Sequence, residues 1–424
     1  MGHHTPSSVR KIFHNKRIRS KIFAHLSPED ITSLRMVSSR LNKLTTPTVF
    51  KTLTVTFHAL TFSPDRLVSL ERIGHNVETL KFIFPHTEAT YMPPMLDPES
   101  RRLVTLIHEP YARHDGGQQG HIFRRKRIDA LALHNYGIIL MAAVNIHQFT
   151  QALSSMKNLK ALIVSCPGTP MGDPGRRCIV DYALWSLRSA VERAGLQNLR
   201  RVSLDPIHLA GVQYFLPGVL AVGSVISSRR VWRQVRKISL TVSAWKELAN
   251  GTPAKYKTHL KLLHQFLEYF DHVEELTFSW TREARWICPL TLDLLPSRNP
   301  LMASKPASDR FIVNRPLTFP NLNTLRLENV GMNASDLKSF LSRHTSKFKA
   351  WFLEDVYFVN GSLEEALEPL TIIAKSGGES KQDDSHSQED TEVSFIDLVE
   401  EVSFHSPDFM IYGELAAVSE LRRN

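Results

Sequence analysis

The groups able to cut bonds or hold a metal in this 424-residue sequence are nineteen histidines, three cysteines and 42 acids. General acid–base work needs an imidazole and a carboxylate within hydrogen-bond reach. The nearest sequence approaches are His108-Glu109 and His272 beside Glu274-Glu275; neighbours of this kind read as surface pairs. Cys166 and Cys178 flank a Gly/Pro-rich loop of eleven residues with no histidine at ligand spacing, and neither forms a CxxC pair with the other or with Cys288. They read as structural thiols of a reducing compartment. No GxxxxGK[ST], GxGxxG, HExxH or GxSxG occurs. The sequence therefore assigns no catalytic, cofactor-binding or metal-binding residue and no cofactor, and the expectation is a protein that is not an enzyme.

Phosphate contact is the remaining chemistry. Two basic runs, Arg124-Arg125-Lys126-Arg127 and Arg229 to Lys237 with Trp232 inside it, are able to meet nucleic acid or an import receptor. One aromatic makes no stacking platform, so both read as solvated edges, and nucleic acid is not the expected partner. The net charge of +10 is uneven: residues 364–401 hold twelve acids and two bases, leaving 50 bases against 30 acids elsewhere. Ile207 to Ser228 carries no formal charge over 22 residues, but its histidine, proline, serines and glycines suit a buried strand and loop better than a lipid-facing helix. No membrane contact and a cytoplasmic or nuclear location are the expectations.

The elements that must position any site begin with short helices. Ile18, Ile22, Leu26, Ile31, Leu34, Val37, Leu41 and Leu44 recur at helical spacing. Ser27-Pro28-Glu29-Asp30 marks a helix start, with serine as cap, proline at the first helical position and acids at the positive dipole end. Thr46-Pro47 is expected to stop the last helix.

The run Ile22 to Ile31, followed by Leu34 to Leu41 and Pro47-Thr48-Val49-Phe50, resembles an F-box. Only its front departs, where His14-Asn15 stand in place of the usual Leu-Pro pair. The resemblance implies a small helical unit that docks on the Skp adaptor of a cullin–RING ubiquitin ligase while the rest of the chain selects a substrate. The residues implied for adaptor contact are Ile22, Leu26, Pro28, Ile31, Leu34, Val37 and Leu41. Too small for a core of its own, such a cluster is completed by a partner groove.

Beyond Phe50 a triplet recurs, an apolar residue followed by two more at the third and fifth positions after it: Val77-Leu80-Phe82, Leu159-Leu162-Val164, Leu199-Val202-Leu204, Val235-Ile238-Leu240, Val273-Leu276-Phe278, Leu322-Leu325-Leu327 and Phe348-Trp351-Leu353. Such triplets arise by chance on the order of 30 times in a chain this apolar. Asn76, Asn158, Asn198 and Asn321 precede four of them, however, although the chain has only 16 asparagines. Internal repetition with irregular insertions predicts stacked strand-and-return units. The unit Phe319 to His344 has a strand ending near Val330, a turn at Gly331, a cap at Ser335 or Asp336, and a helix whose stripe is Leu337, Phe340 and Leu341. It resembles a degenerate leucine-rich repeat, with Val330 where the family has Asn or Cys. Together the two resemblances look like the F-box proteins of filamentous fungi.

The expected fold class is α/β, an N-terminal helical F-box module over 14–50 followed by an irregular leucine-rich-repeat-like solenoid over 51–375. A disordered acidic insertion over 376–392 and a C-terminal repeat or cap over 393–424 complete the chain. The expected function is a substrate receptor of an SCF-type ligase, partnered by the Skp adaptor, through it a cullin, and a protein substrate. The alternatives are a repeat scaffold outside any ligase and a basic nucleic-acid-binding solenoid.

Overall fold

A computed structural model describes residues 15–91, 137–168, 178–216, 228–243, 263–281, 290, 316–344 and 349–378. Three short helices come first: α1 (Lys16–Ala24), α2 (Pro28–Val37) and α3 (Ser39–Val49). Local chemistry sets each start. Asn15 Oδ1 accepts the Arg17 and Ile18 N–H groups at 3.0 and 3.2 Å. Ser27 Oγ accepts the Asp30 N–H while the Asp30 carboxylate accepts the Ser27 N–H, and Pro28 opens α2 without losing a needed donor. Pro47 does not end α3, which continues to Val49. The Thr45 and Thr46 hydroxyls donate to the Leu41 and Asn42 carbonyls at 2.8 and 2.7 Å, and the Phe50 N–H returns to Thr46 O. The bond forfeited at Pro47 is the one to Lys43 O, and the turn beyond it still closes through the Phe50 N–H on Thr46 O.

The body is one parallel sheet. Strands β1 (Thr52–Thr56), β2 (Thr79–Ile83), β3 (Ala161–Ser165), β4 (Arg201–His208), β5 (Lys237–Ser243), β6 (Glu275–Thr281), β7 (Thr324–Glu328) and β9 (Ala350–Glu354) pair in chain order. The remaining two, β8 (Gly331–Asn333) and β10 (Tyr357–Asn360), form a separate parallel pair. Strand register explains the recurring triplet. Leu80, Leu162, Val202, Ile238, Leu276, Leu325 and Trp351 are successive partners across the sheet, as are Phe82, Val164, Leu204, Leu240, Phe278, Leu327 and Leu353. All fourteen are buried, and so are the leading anchors Val77, Leu159, Leu199, Val235, Val273 and Leu322. Two of the four asparagines tie their connection to the one before, Asn158 Nδ2 donating to His75 O at 2.7 Å and Asn198 Nδ2 to Lys157 O at 3.0 Å, while Asn76 Nδ2 donates to Ile73 O within its own segment. Those two ties are the physical content of the asparagine signal.

Helices pack on the apolar side of the sheet: α4 (Pro64–Ile73), α5 (Gly137–Val144), α6 (Ile146–Ser154), α7 (Ile179–Arg193), α8 (Leu209–Phe215), α9 (Ser228–Arg233), α10 (Ala334–His344) and α11 (Leu363–Gly378). At their centre α7 carries a buried ion pair, Arg188 Nη1 to Glu192 Oε1 at 3.0 Å, and Glu192 also accepts the Trp232 indole N–H at 3.1 Å from α9. In α10, Leu337, Phe340 and Leu341 are buried as the stripe predicts. Gly331 is needed for close approach rather than for a turn, because a Cβ there would lie 2.1 Å from the Tyr357 ring; the left-handed turn residue is Asn329, at φ 55°.

The expected fold class is overturned. The described residues form an eight-stranded parallel sheet with helices around one continuous apolar core, not a helical F-box module followed by a leucine-rich-repeat-like solenoid. No clear N-terminal module stands out, since α1 to α3 bury only Phe23, Ile31 and Thr45. An apolar triplet satisfies any strand buried on one face, so it reports a strand and not how the units stack. The connections are also unequal, 22 residues from β1 to β2 against 77 from β2 to β3. No helix among the described residues is long and apolar enough to cross a membrane. His108, Glu109, Arg124 to Arg127, Cys288, residues 379–392 and residues 393–424 lie outside the described residues.

Candidate functional site

Of the residues expected at an adaptor contact, Ile31 is buried, Ile22, Leu26, Leu34 and Leu41 are half-buried, and Pro28 and Val37 are exposed. Ile31 therefore holds the helices together and is not free to meet a partner. Arg35 ties α2 to α3, its guanidinium 4.8 Å over the Phe50 ring and its Nε donating to Asn42 Oδ1 at 3.2 Å. Two apolar side chains outside the expected set are exposed: Met36 at 86% and Ile18 at 43%, beside Val37 at 69%. At 100° per residue, Met36 and Val37 sit about 140° and 240° around α2 from Ile31, away from the helices' own contacts. Met36 falls outside the apolar series Ile31, Leu34, Val37 and Leu41, and only its adjacency to Val37 marks it in the sequence.

A second surface is the sheet face that the helices leave open. Burial alternates along the strands, so every second side chain points away from the core. This face carries the hydroxyls of Thr52, Thr54 and Thr56 on β1, Ser239 and Thr241 on β5 and Thr277 on β6, while Ser203 on β4 and Ser279 on β6 are buried. It is also charged. Lys237 pairs with Glu275 across β5 and β6, and Arg326 bridges Glu328 and Glu354 at 2.7 and 3.2 Å. The β1 hydroxyls are exposed and those of Ser239, Thr241 and Thr277 half-buried, a polar surface able to contact a polypeptide.

The third constellation joins residues far apart in sequence at the carboxyl ends of β2 to β4. Cys178 Sγ lies 3.3 Å from His86 Nδ1 and 3.6 Å from Thr90 Oγ1. The His86 and His208 rings meet edge-on with centroids 5.0 Å apart. The Gly211 N–H donates to His208 Nδ1 at 2.9 Å, which places the neutral ring's proton on Nε2, 3.6 Å from Asp181 Oδ1. A protonated Nε2 is no metal ligand. Among the described residues no three His, Cys, Asp or Glu side chains are placed to hold a metal ion.

Burial, reinforced by His208, pushes the His86 imidazole down to about 4, and burial with the nearby Asp181 pushes the Cys178 thiol up to about 12. Burial, with Asp181 and Cys178 nearby, also raises the Cys166 thiol. A thiolate–imidazolium pair is negligible at neutral pH with values so ordered, so this pair is not an activated nucleophile. Its work is to hold the chain after β2: His86 N–H bonds Pro167 O at 2.8 Å, and Tyr91 bridges Cys178 in an isolated antiparallel contact. No spacing rule reaches across the 92 residues separating His86 from Cys178.

The remaining sequence candidates do not assemble. His272 O accepts from Arg236, while Glu274 pairs with Arg236 at 3.6 Å, so His272 has no carboxylate partner among the described residues. Trp232 is fully buried, which removes it as a stacking group beside the Arg229 to Lys237 run. No protein-family model matches the chain, and a comparison with curated proteins finds no match.

Proposed function

We propose that this protein is a non-catalytic substrate receptor of a cullin–RING ubiquitin ligase, in which α1 to α3 dock on the Skp adaptor and the open sheet face holds a protein substrate. The observation that carries the reading is the exposure of Met36 and Val37 at the end of α2. Exposing two adjacent large apolar side chains is disfavoured unless a partner covers them, and an amphipathic helical pair laid in a groove is a recurrent way of covering them. The resemblance of the stretch from Ile22 to Phe50 identifies the adaptor. The charged, hydroxyl-bearing sheet face supplies a polar surface able to contact a protein.

The test is adaptor co-purification with wild-type protein and with a Met36→Asp, Val37→Asp variant. Both substituted side chains are exposed, so the change in folding stability stays within about 0.5 kcal/mol. Loss of most adaptor binding with an unchanged unfolding transition is expected. Wild-type protein that fails to bind the adaptor, or a variant that binds it as well as wild type, sinks the reading; a scaffold outside any ligase then replaces it.

A further inference from the structure

The residues that open each strand on this face, together with the residues just before them in the preceding turns, form one edge across the sheet. On this edge stand Lys51, Lys160, Arg200, Arg201, Arg236, Lys237 and Lys349 against Glu78, Glu274 and Glu275, seven bases to three acids. Ion pairing leaves a surplus. Lys51 and Lys160 share the single carboxylate of Glu78 at 3.9 and 3.1 Å, and Glu274 and Glu275 are taken by Arg236 and Lys237. Arg200 spends its guanidinium on the carbonyls of Gln197 and Leu199, and Arg201 and Lys349 have no acidic partner among the described residues. The far end of the same face has the opposite balance on β7 and β9, with Glu328 and Glu354 around one Arg326.

We infer that this basic edge is the docking site of the chain's own acidic segment, residues 379–401. Complementarity comes first: that segment holds nine acids and one lysine, grouped as Asp383-Asp384, Glu389-Asp390 with Glu392, and Glu400-Glu401. Its point of departure comes second. It leaves α11 at Gly378, and α11 packs on α10 through the Lys338–Glu368 ion pair and buried Ala366 and Leu370. Reach comes third. Adjacent strands lie about 4.8 Å apart, so the four steps from Lys349 on the β9 side to Arg201 on β4 span roughly 19 Å. A segment of 23 residues extends up to about 75 Å. Because the segment is covalently attached, its effective concentration at the edge is in the millimolar range or above, which makes even weak individual contacts count. An acidic segment held there competes with any substrate for the open face; this consequence rests on the proposed function, whereas the docking itself does not.

Zero-length carbodiimide cross-linking of the full-length chain, read by peptide mass spectrometry, tests the inference directly. Expected products are isopeptide bonds from Lys160, Lys237 or Lys349 to acids within 379–401, found within one chain when light and heavy isotopic preparations are mixed. Their yield falls about tenfold at 1 M salt, where the screening length is only ~3 Å. An Arg200→Ser, Arg201→Ser variant lowers the same cross-links, and so does Asp383→Asn, Asp384→Asn, Glu389→Gln, Asp390→Asn, which leaves the described core untouched. Cross-links from the segment to lysines off this edge, links only between chains, or yields indifferent to salt and to both variants overturn the inference. Failure here leaves adaptor binding unaffected, and failure to bind the adaptor leaves these cross-links in place, so the two results stay separable.

Discussion

Helices α2 and α7 both carry apolar residues at helical spacing, α2 with the weaker apolar face, and they have opposite fates. Of the fifteen residues of α7 eleven are buried, including a complete ion pair, whereas α2 buries Ile31 alone among ten. The difference lies in what each meets. The core and four neighbouring helices surround α7, whereas among the described residues α2 packs chiefly on α3 and leaves Met36 and Val37 exposed. A helical pattern therefore reports an apolar face but not its occupant.

The largest test of this contrast is Glu192→Ala. It strands Arg188 in the core and removes the acceptor for the Trp232 indole, and it is expected to cost about 3–5 kcal/mol of global stability, measured by denaturant unfolding. A cost below about 1 kcal/mol shows that α7 is not the rigid centre and erases the contrast.

Acid titration gives an intermediate effect within the body. His86 is buried neutral with a value near 4, below the ordinary 6.5 that it regains on unfolding. The unfolded state then binds the extra proton, so the stability from His86 is intact above about pH 6.5 and is lost progressively down to about pH 4, on the order of 3 kcal/mol in total. Burial also holds His344 below its ordinary value, adding a loss of the same sign. In His86→Gln the slope of unfolding free energy against pH between 4 and 6.5 becomes shallower by the His86 share. An unchanged slope shows that the cluster at the ends of β2 to β4 is open to water.

The smallest effect belongs to the N-terminal helices. Ser27→Ala removes the cap of α2 and costs about 1 kcal/mol. Because α2 barely touches the core, the loss is expected as faster amide exchange confined to residues 28–37, with the global unfolding midpoint unchanged. A shifted midpoint means that α2 and the sheet unfold together.

Features fixed by neighbours in sequence were legible. Ser27 and Pro28 mark the start of α2, the triplets mark strands, and Leu337, Phe340 and Leu341 mark the buried stripe of α10, because capping, alternation and helical period act over a few residues. Architecture was not legible, since the same triplet serves stacked repeats and a sheet with unequal crossovers. Pro47 misled because a proline so near the helix end forfeits a single bond, to Lys43 O, while the Phe50 N–H still closes the last turn on Thr46 O. The meeting of His86, Cys178 and His208 depends on strand order, which is not a property of any short window. Met36 was passed over because a single apolar residue on a polar face carries no periodic signal.

The hydrogen bonds ahead of the strands have a consequence for how this protein can change over time. The carbonyl before each strand accepts two successive N–H groups from the next: Lys51 O takes Glu78 and Thr79, Glu78 O takes Lys160 and Ala161, Lys160 O takes Arg200 and Arg201, and the series runs on to Asn323 O with Lys349 and Ala350. Register is thereby set at the strand's own threshold, whatever length of chain arrives there. Stretching a crossover from 22 to 77 residues, as between the first two connections, adds only about 1 kcal/mol of closure entropy, since that cost grows with the logarithm of length. The sheet thus acts as a backplane into which long inserts can be spliced at small thermodynamic penalty, and new segments can be acquired between strands without renegotiating the core.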